Sequence, residues 1–322
     1  MENNYLLLYG DKKPEDNICI PFMFQNIKNI PLGWIDKDIN NIISLMEEEI
    51  RNGINQFIFW GLEVGWNQVI EKIKNKYVNI KIKVICNTAD SLLYYNYERE
   101  NFFLLLELLN KKLVDNVAFL RKGMYETYKN LGYNCSYILE NIVLDKSRIS
   151  FTSKNNDLVN IGIYPLNYTW DKNIFNQLSV GMFIENSIVN YNELDERMND
   201  FLHTMKINCN IDNINNFDAY EIAKIISKND VNVSCDFTDY VHPIALISME
   251  CGIPCILGNI SDLFDQEINS YIVVDSEDNP LMIKEKIEHI LKNKDLIEEK
   301  YTKWKSNYNE KSHKSVDDFI NK

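Results

Sequence analysis

From residue 5 to residue 291, short apolar runs alternate with segments of helical period, and that alternation constrains the fold more than any other feature of the chain. YLLLYG (5–10), QFIFWG (56–61), IKIKVICN (80–87) and NVAFLRKG (116–123) are brief and bounded by turn residues, as strands buried on both faces are. Between them DINNIISLMEEEIRNG (38–53), WNQVIEKIKNKY and YERENFFLLLELLNKK space their apolar residues as helices do, with Asp38 as N-cap and Gly53 closing the first. MYETYKNLGY and SYILENIV complete this half. Strand–helix order of this kind builds a parallel sheet with helices on both faces.

The order restarts after LDKSRISFTSKNNDL (144–158), a polar connector without period. VNIGIYP (159–165), NSIVNY, KINCNI, VNVSCDF (231–237) and CILGN (255–259) read as strands, and the apolar run YIVVD (271–275) follows them. KNIFNQLSVGMFIE, DERMNDFLHTMK, FDAYEIAKIISKND (217–230, with Ile222, Ile225 and Ile226 on one face) and HPIALISMECG read as helices, the last opened by Pro243 and closed by Gly252. Asn279 and Pro280 open a further helix with Ile283, Ile287, Ile290 and Leu291 on one face. The charged segment beyond it carries a partial stripe, Leu296, Tyr301, Trp304 and Tyr308, which needs a surface to lie on. A chain of 322 residues exceeds what one core serves. The expectation is therefore α/β with two doubly wound domains, 1–150 and 151–300, and a C-terminal helix, 301–322, packing back on the first.

Charge narrows the function. A net charge of −13 argues against general affinity for nucleic acid or anionic membrane, which need clustered Lys and Arg. The seven cysteines are odd in number, scattered and without a CxxC pair, so they read as reduced thiols, and a cytoplasmic location is expected. Cys251 and Cys255 with His242 do not complete a zinc set. No apolar run approaches membrane-spanning length, and MENNYLLLYGDKKPED lacks the pattern of a signal peptide.

In an open parallel sheet, ligands sit outside the carboxyl ends of the strands, where a helix N-terminus offers N–H groups to an anion. The start of the helix at His242–Ala245 is such a place; so is every strand–loop–helix unit, and Pro and Gly there are also ordinary punctuation.

Asp239, the loop Val241–Ala245, the helix IALISME and the turn Cys251-Gly252-Ile253-Pro254 follow one another as they do in glycosyltransferases with two Rossmann-like domains, the GT-B type. The run resembles the donor-nucleotide segment of retaining enzymes of that type, of the bacterial family-4 and family-1-like kind, and the likeness extends over roughly residues 159 to 291. It implies two Rossmann-like domains facing across a cleft, with a nucleotide-sugar, UDP- or GDP-linked, held by the second. In IYPLNYTWDKNIFNQL (163–178), Lys172 and Asn173 occupy the place where such enzymes neutralise the donor diphosphate. A Lys at a helix start is unfavourable for the dipole unless an anion is near; the alternative is an exposed surface lysine. The donor residues implied are Lys172, Asn173, Asp239, His242, Pro243, Ile244, Ala245, Glu250 and Asn259.

The chain also departs from that pattern. No Arg precedes Lys172 in its loop, and Ile247 stands where a second acid would hold the ribose, with Glu250 about a turn further on and on a different face. His-Pro replaces the usual glycine loop, as in a variant subgroup. All four histidines lie beyond residue 200, so Asp90 or Glu63 is the catalytic candidate in the first half, although each also reads as a cap or a solvated acid. By the resemblance, retaining transfer to a glycan, protein or envelope acceptor needs no protein base, since the donor phosphate can accept the proton, and no metal or cofactor is expected. Asp36-Lys37-Asp38 matches DxD but follows no apolar strand, and GxGxxG, P-loop and GxSxG motifs are absent. Two other readings stand beside transfer: a non-catalytic paralogue binding a glycan or partner, and a nucleotide-sugar epimerase of the same architecture.

Overall fold

A computed structural model of the protein describes residues 4–9, 24, 26–30, 39–62, 65–86, 88, 90–140, 144–149, 157–165, 167–212, 214, 218–237, 243–259 and 263–322, and elements are numbered within these. The chain divides into two compact units, one of Met1–Asn141 with Tyr308–Lys322 and one of Ile142–Asn307.

Unit 1 contains β1 (Tyr5–Tyr9), β2 (Ile27–Asn29), β3 (Gln56–Trp60), β4 (Lys81–Cys86), β5 (Asn116–Phe119) and β6 (Cys135–Tyr137), all parallel, in the order β2-β1-β3-β4-β5-β6. Helices α1 (Ile39–Arg51), α2 (Trp66–Lys76), α3 (Asn96–Asn110) and α4 (Lys122–Asn130) connect them. Strand β2 has no counterpart in the sequence reading, because a three-residue edge strand IKN carries no apolar run. Leu8, Phe57, Phe59, Val84 and Phe119 from the sheet meet Ile42, Met46, Trp66, Ile70, Phe102 and Leu105 from the helices in one apolar core. Phe59 and Trp66 pack edge to face at 4.8 Å. Burial of each such side chain contributes about 1.5–3 kcal/mol.

Among the described residues of this unit two charged side chains are buried, Arg121 and Lys83. Lys83, in the middle of β4, is buried and donates to the carbonyls of Phe319 at 2.6 Å and Ile320 at 3.0 Å, in the last helical turn of the chain. Burial lowers its pKa to about 8. The same terminal segment is fastened by Ser312, whose hydroxyl donates to Leu139 O at 2.7 Å, and by Ser315, whose hydroxyl accepts from Leu139 N at 3.1 Å.

Unit 2 contains β7 (Val159–Ile163), β8 (Ser187–Tyr191), β9 (Cys209–Ile211), β10 (Val231–Ser234) and β11 (Cys255–Leu257), again all parallel, in the order β11-β10-β7-β8-β9. Its helices are α5 (Ile174–Leu178), α6 (Glu196–Thr204), α7 (Ala219–Ile226), α8 (Pro243–Glu250), α9 (Gln266–Ile272) and the first part of α10 (Pro280–Asn321), which kinks at Asn293. The chain leaves β7 through β8 and β9 on one side, then returns to build β10 and β11 on the other. The strand order thus reverses between β7 and β10.

The start of YIVVD ends a helix: Asp265 caps α9 by accepting from Ile268 N at 3.1 Å, Ile268 and Ile272 bury one turn apart, and Val273 bridges to Leu257. Two expectations change. The helix expected over KNIFNQLSVGMFIE stops at Leu178 and tightens into a 3₁₀ turn, Ser179–Met182, where a Cβ on Gly181 would meet Val189 at 2.8 Å. In the last helix Ile297 is buried while Leu296 is exposed, so the stripe runs through Ile297, Tyr301, Trp304 and Tyr308.

The sheet of unit 2 has a polar rung. Asn210, Asn190, Gly162 and Asn232 are register partners across β9, β8, β7 and β10. Asn210 donates to Asn190 at 3.3 Å, Asn190 to Asn229 at 2.8 Å, Asn229 to Asn232 at 2.7 Å, and Asn232 to the Ser248 hydroxyl of α8 at 2.7 Å. Asn229 passes over Gly162, where an added Cβ would lie 1.9 Å from Asn232 Oδ1 and 2.2 Å from Asn229 Nδ2. Among the described residues no helix is long and apolar enough to cross a membrane.

Candidate functional site

The carboxyl ends of β7 and β10 flank the reversal of strand order, where open α/β sheets place their ligands. After β7 the chain turns through a one-turn 3₁₀ helix, Trp170–Lys172, and Asn173 takes a left-handed conformation (φ 49°) that an asparagine tolerates. Side-chain amides then stitch this loop to its neighbours. Asn173 Nδ2 donates to Cys235 O at 3.0 Å and to Glu277 O at 2.7 Å. Gln177 donates to Lys172 O at 2.7 Å and accepts from Cys235 N at 3.1 Å, while Phe237 N donates to Asp171 O at 2.7 Å.

Lys172 is not at an exposed helix start. Its side chain is buried, with the ammonium 2.7 Å from Asp236 and 3.6 Å from Asp171, both also buried. Burial pushes the Asp236 carboxyl up to about 6 against the pull of Lys172, and Asp171 adds to the rise. One cation therefore stands between two carboxylates at the reversal point, and an anion arriving there competes with Asp236 for it. The neighbouring thiols of Cys235 and Cys255 are pushed well above the ordinary range by burial, which makes them inert.

Asn259 follows β11, exposed, with its N–H donating to the Glu277 carboxylate. Gly258 permits this: a Cβ there would meet Glu277 Cγ at 2.7 Å and Asp236 O at 3.0 Å. Pro243, Ile244 and Ala245 form the first turn of α8, with Ile244 and Ala245 buried. Glu250 stands at the opposite end of that helix, and its carboxylate accepts from Tyr301 and, at 2.5 Å, from Lys305. It fastens α8 to α10 and does not join the cluster.

Asp90 opens the 3₁₀ turn Asp90–Tyr94 beyond β4, where burial raises its pKa and the Tyr128 hydroxyl donates to it at 3.5 Å. Glu63, Asp239 and His242, together with Gly10, Asp11, Asn87, Cys19, Val241 and the Asp36–Asp38 triplet, lie outside the described residues. Among the described residues no group of His, Cys, Asp or Glu is placed to hold a metal. Asp236 and Glu277 are additions that sequence reasoning missed. VNVSCDF reads as strand to its end, whereas β10 stops at Ser234 and leaves Asp236 in the loop; SEDNP reads only as a helix start.

No protein-family model matches the sequence, and no curated protein matches it. Solved structures do match in fold. Anabaena HepE in complex with UDP-glucose is 8% identical, with 97% of this chain and 99% of that chain covered and a TM-score of 0.68. A trehalose-6-phosphate structure from E. coli, bound with UDP-2-fluoro glucose, is 11% identical over 98% of this chain and 92% of that one, with a TM-score of 0.61. Sucrose-phosphate synthase from Thermosynechococcus elongatus is 12% identical over 90% and 76%, with a TM-score of 0.59. Together with the two all-parallel, doubly wound sheets, these likenesses assign the chain the GT-B fold.

Proposed function

We propose that the protein is a glycosyltransferase that takes a nucleotide-sugar donor in unit 2 and an acceptor in unit 1. The observation that carries this reading is the Lys172–Asp236 pair astride the reversal of strand order, in a chain whose fold matches structures holding UDP or UDP-sugars along nearly its whole length. The donor diphosphate would take Lys172 from Asp236 and use the N–H groups at the start of α8, with Asn259 toward the sugar. The acceptor hydroxyl attacks the anomeric carbon as the bond to the phosphate oxygen breaks. Its proton passes to that phosphate, which leaves as the nucleoside diphosphate. This route retains configuration and calls on no metal, since Lys172 and the helix dipole carry the charge. In this reading Asp90, beyond the end of β4, is the unit 1 candidate for orienting the acceptor.

Thermal-shift titration with UDP-, GDP- and dTDP-sugars tests the reading. Stabilisation of about 2.7 kcal/mol is expected at a hundredfold excess over Kd. It should be greater at pH 5.5 than at pH 8, because protonated Asp236 releases Lys172. Failure of every nucleotide to stabilise the protein would sink the proposal, and consumption of the sugar without any acceptor would turn it toward epimerisation.

A further inference from the structure

The 3₁₀ turn beside β7 inverts the usual partition of side chains. It buries Asp171 and Lys172 and leaves Trp170, its one large apolar residue, 56% exposed. A second ring stands beside it. Phe237, two residues beyond the end of β10, faces Trp170 with centroids 6.4 Å apart and ring planes 24° from parallel. The hydrogen bond from Phe237 N to Asp171 O, at 2.7 Å, ties the two loops together between these rings. The rings are thus held by the same backbone that buries the Lys172–Asp236 pair, and they lie at the same reversal point.

We propose that Trp170 and Phe237 form a stacking seat for the nucleobase of a nucleoside diphosphate whose phosphates engage Lys172. The inference rests on the function proposed above and adds what holds the base. Two nearly parallel rings on the loops that carry a buried cation suit a ligand that is flat and aromatic at one end and anionic at the other. A protein partner would need a far wider apolar patch than two rings supply. Stacking on an aromatic face is tolerant of base identity, because every base has a π-face. The seat therefore accepts purine and pyrimidine diphosphates alike.

The test uses the full chain, with UDP, GDP and pyrophosphate as probes, followed by calorimetry and tryptophan fluorescence. Trp170→Leu is expected to weaken UDP and GDP by about 5- to 150-fold, the range for loss of a base–aromatic stack, while pyrophosphate binding is unchanged. Trp170→Phe keeps a ring and should hold both nucleotides within about twofold while losing the fluorescence change on binding. Equal loss of UDP and pyrophosphate in Trp170→Leu, or no loss of UDP, overturns the seat. If the wild-type chain binds neither nucleotide, the donor reading falls and takes the seat with it. If it binds both and Trp170→Leu binds them as well, the seat alone falls. Because the indole is exposed, melting curves of both variants should overlay the wild type.

Discussion

The two sheets share parallel, doubly wound topology and differ in what fills them. Unit 1 packs Leu8, Phe57, Phe59 and Val84 against apolar helix faces, whereas unit 2 carries a hydrogen-bonded rung from Asn210 to Ser248 with members on three strands, passing over Gly162 of the fourth. Apolar burial is non-directional and tolerates repacking; a connected polar rung works only when every member is in register. The rung also ends on α8, the helix whose first turn stands at the candidate site, so it fixes that helix against the sheet more narrowly than greasy contacts would. The lesson is that unit 2 trades tolerance for position where a ligand is expected.

The largest expected effect comes from stranding a charge in unit 2. Lys172→Ala leaves Asp236 buried without its 2.7 Å partner and should cost about 3–5 kcal/mol at pH 7, with Asp236→Asn in the same chain restoring most of it. Urea unfolding measures this, and a loss below about 1 kcal/mol would mean the pair behaves as a solvated one. Next is Gly162→Ala, which drives a methyl into Asn229 and Asn232 and should cost about 1–3 kcal/mol. Its counterpart in the sheet of unit 1, at the apolar position Ile82, is Ile82→Val, which should cost only about 0.5–1.5 kcal/mol; a milder Gly162→Ala would erase the contrast. The smallest effect is a drift with pH. Asp236 titrates near 6 in the fold, above the ordinary 3.8, so the stability it contributes is present below about pH 4 and lost as pH rises through about 6. Asp236→Asn should lack that drift, and an unchanged slope of denaturation midpoint against pH would assign it to another group.

Much of this was legible in the sequence. Among the described residues, runs read as strands cover nine of the eleven; β6 at Cys135–Tyr137 and β2 at IKN carry no strand reading, because apolar period reports burial on both faces and an edge strand of three residues has little. YIVVD alone decides nothing: its β-branched residues favour a strand, but Asp265 and the Ile268–Ile272 spacing make the stronger local case for a helix over its first two residues. The chain is rich in asparagine, and composition alone assigns that no role. Yet VNIGI, SIVNY, CNI and VNVS each carry one asparagine, and only the register shows that Asn210, Asn190 and Asn232 share one rung while Asn160 is off it. At the site, Lys172 and Asn173 could be named from their loop. Asp236 and Glu277 could not, since their partners are 64 and 104 residues away in sequence from the loop they touch.

The helical segment that caps Lys83 has a consequence for the order of folding. Unit 1 draws its strands from the first 141 residues but completes itself with residues 308–322, where Val316 and Phe319 are buried. Domains usually fold as they leave the ribosome, N-terminal first. Here the first unit to be synthesised must wait, with the β4 lysine uncapped, until unit 2 has been made in full. Unit 2 can close on residues 142–307 alone, so the half that emerges later is the half that can finish earlier.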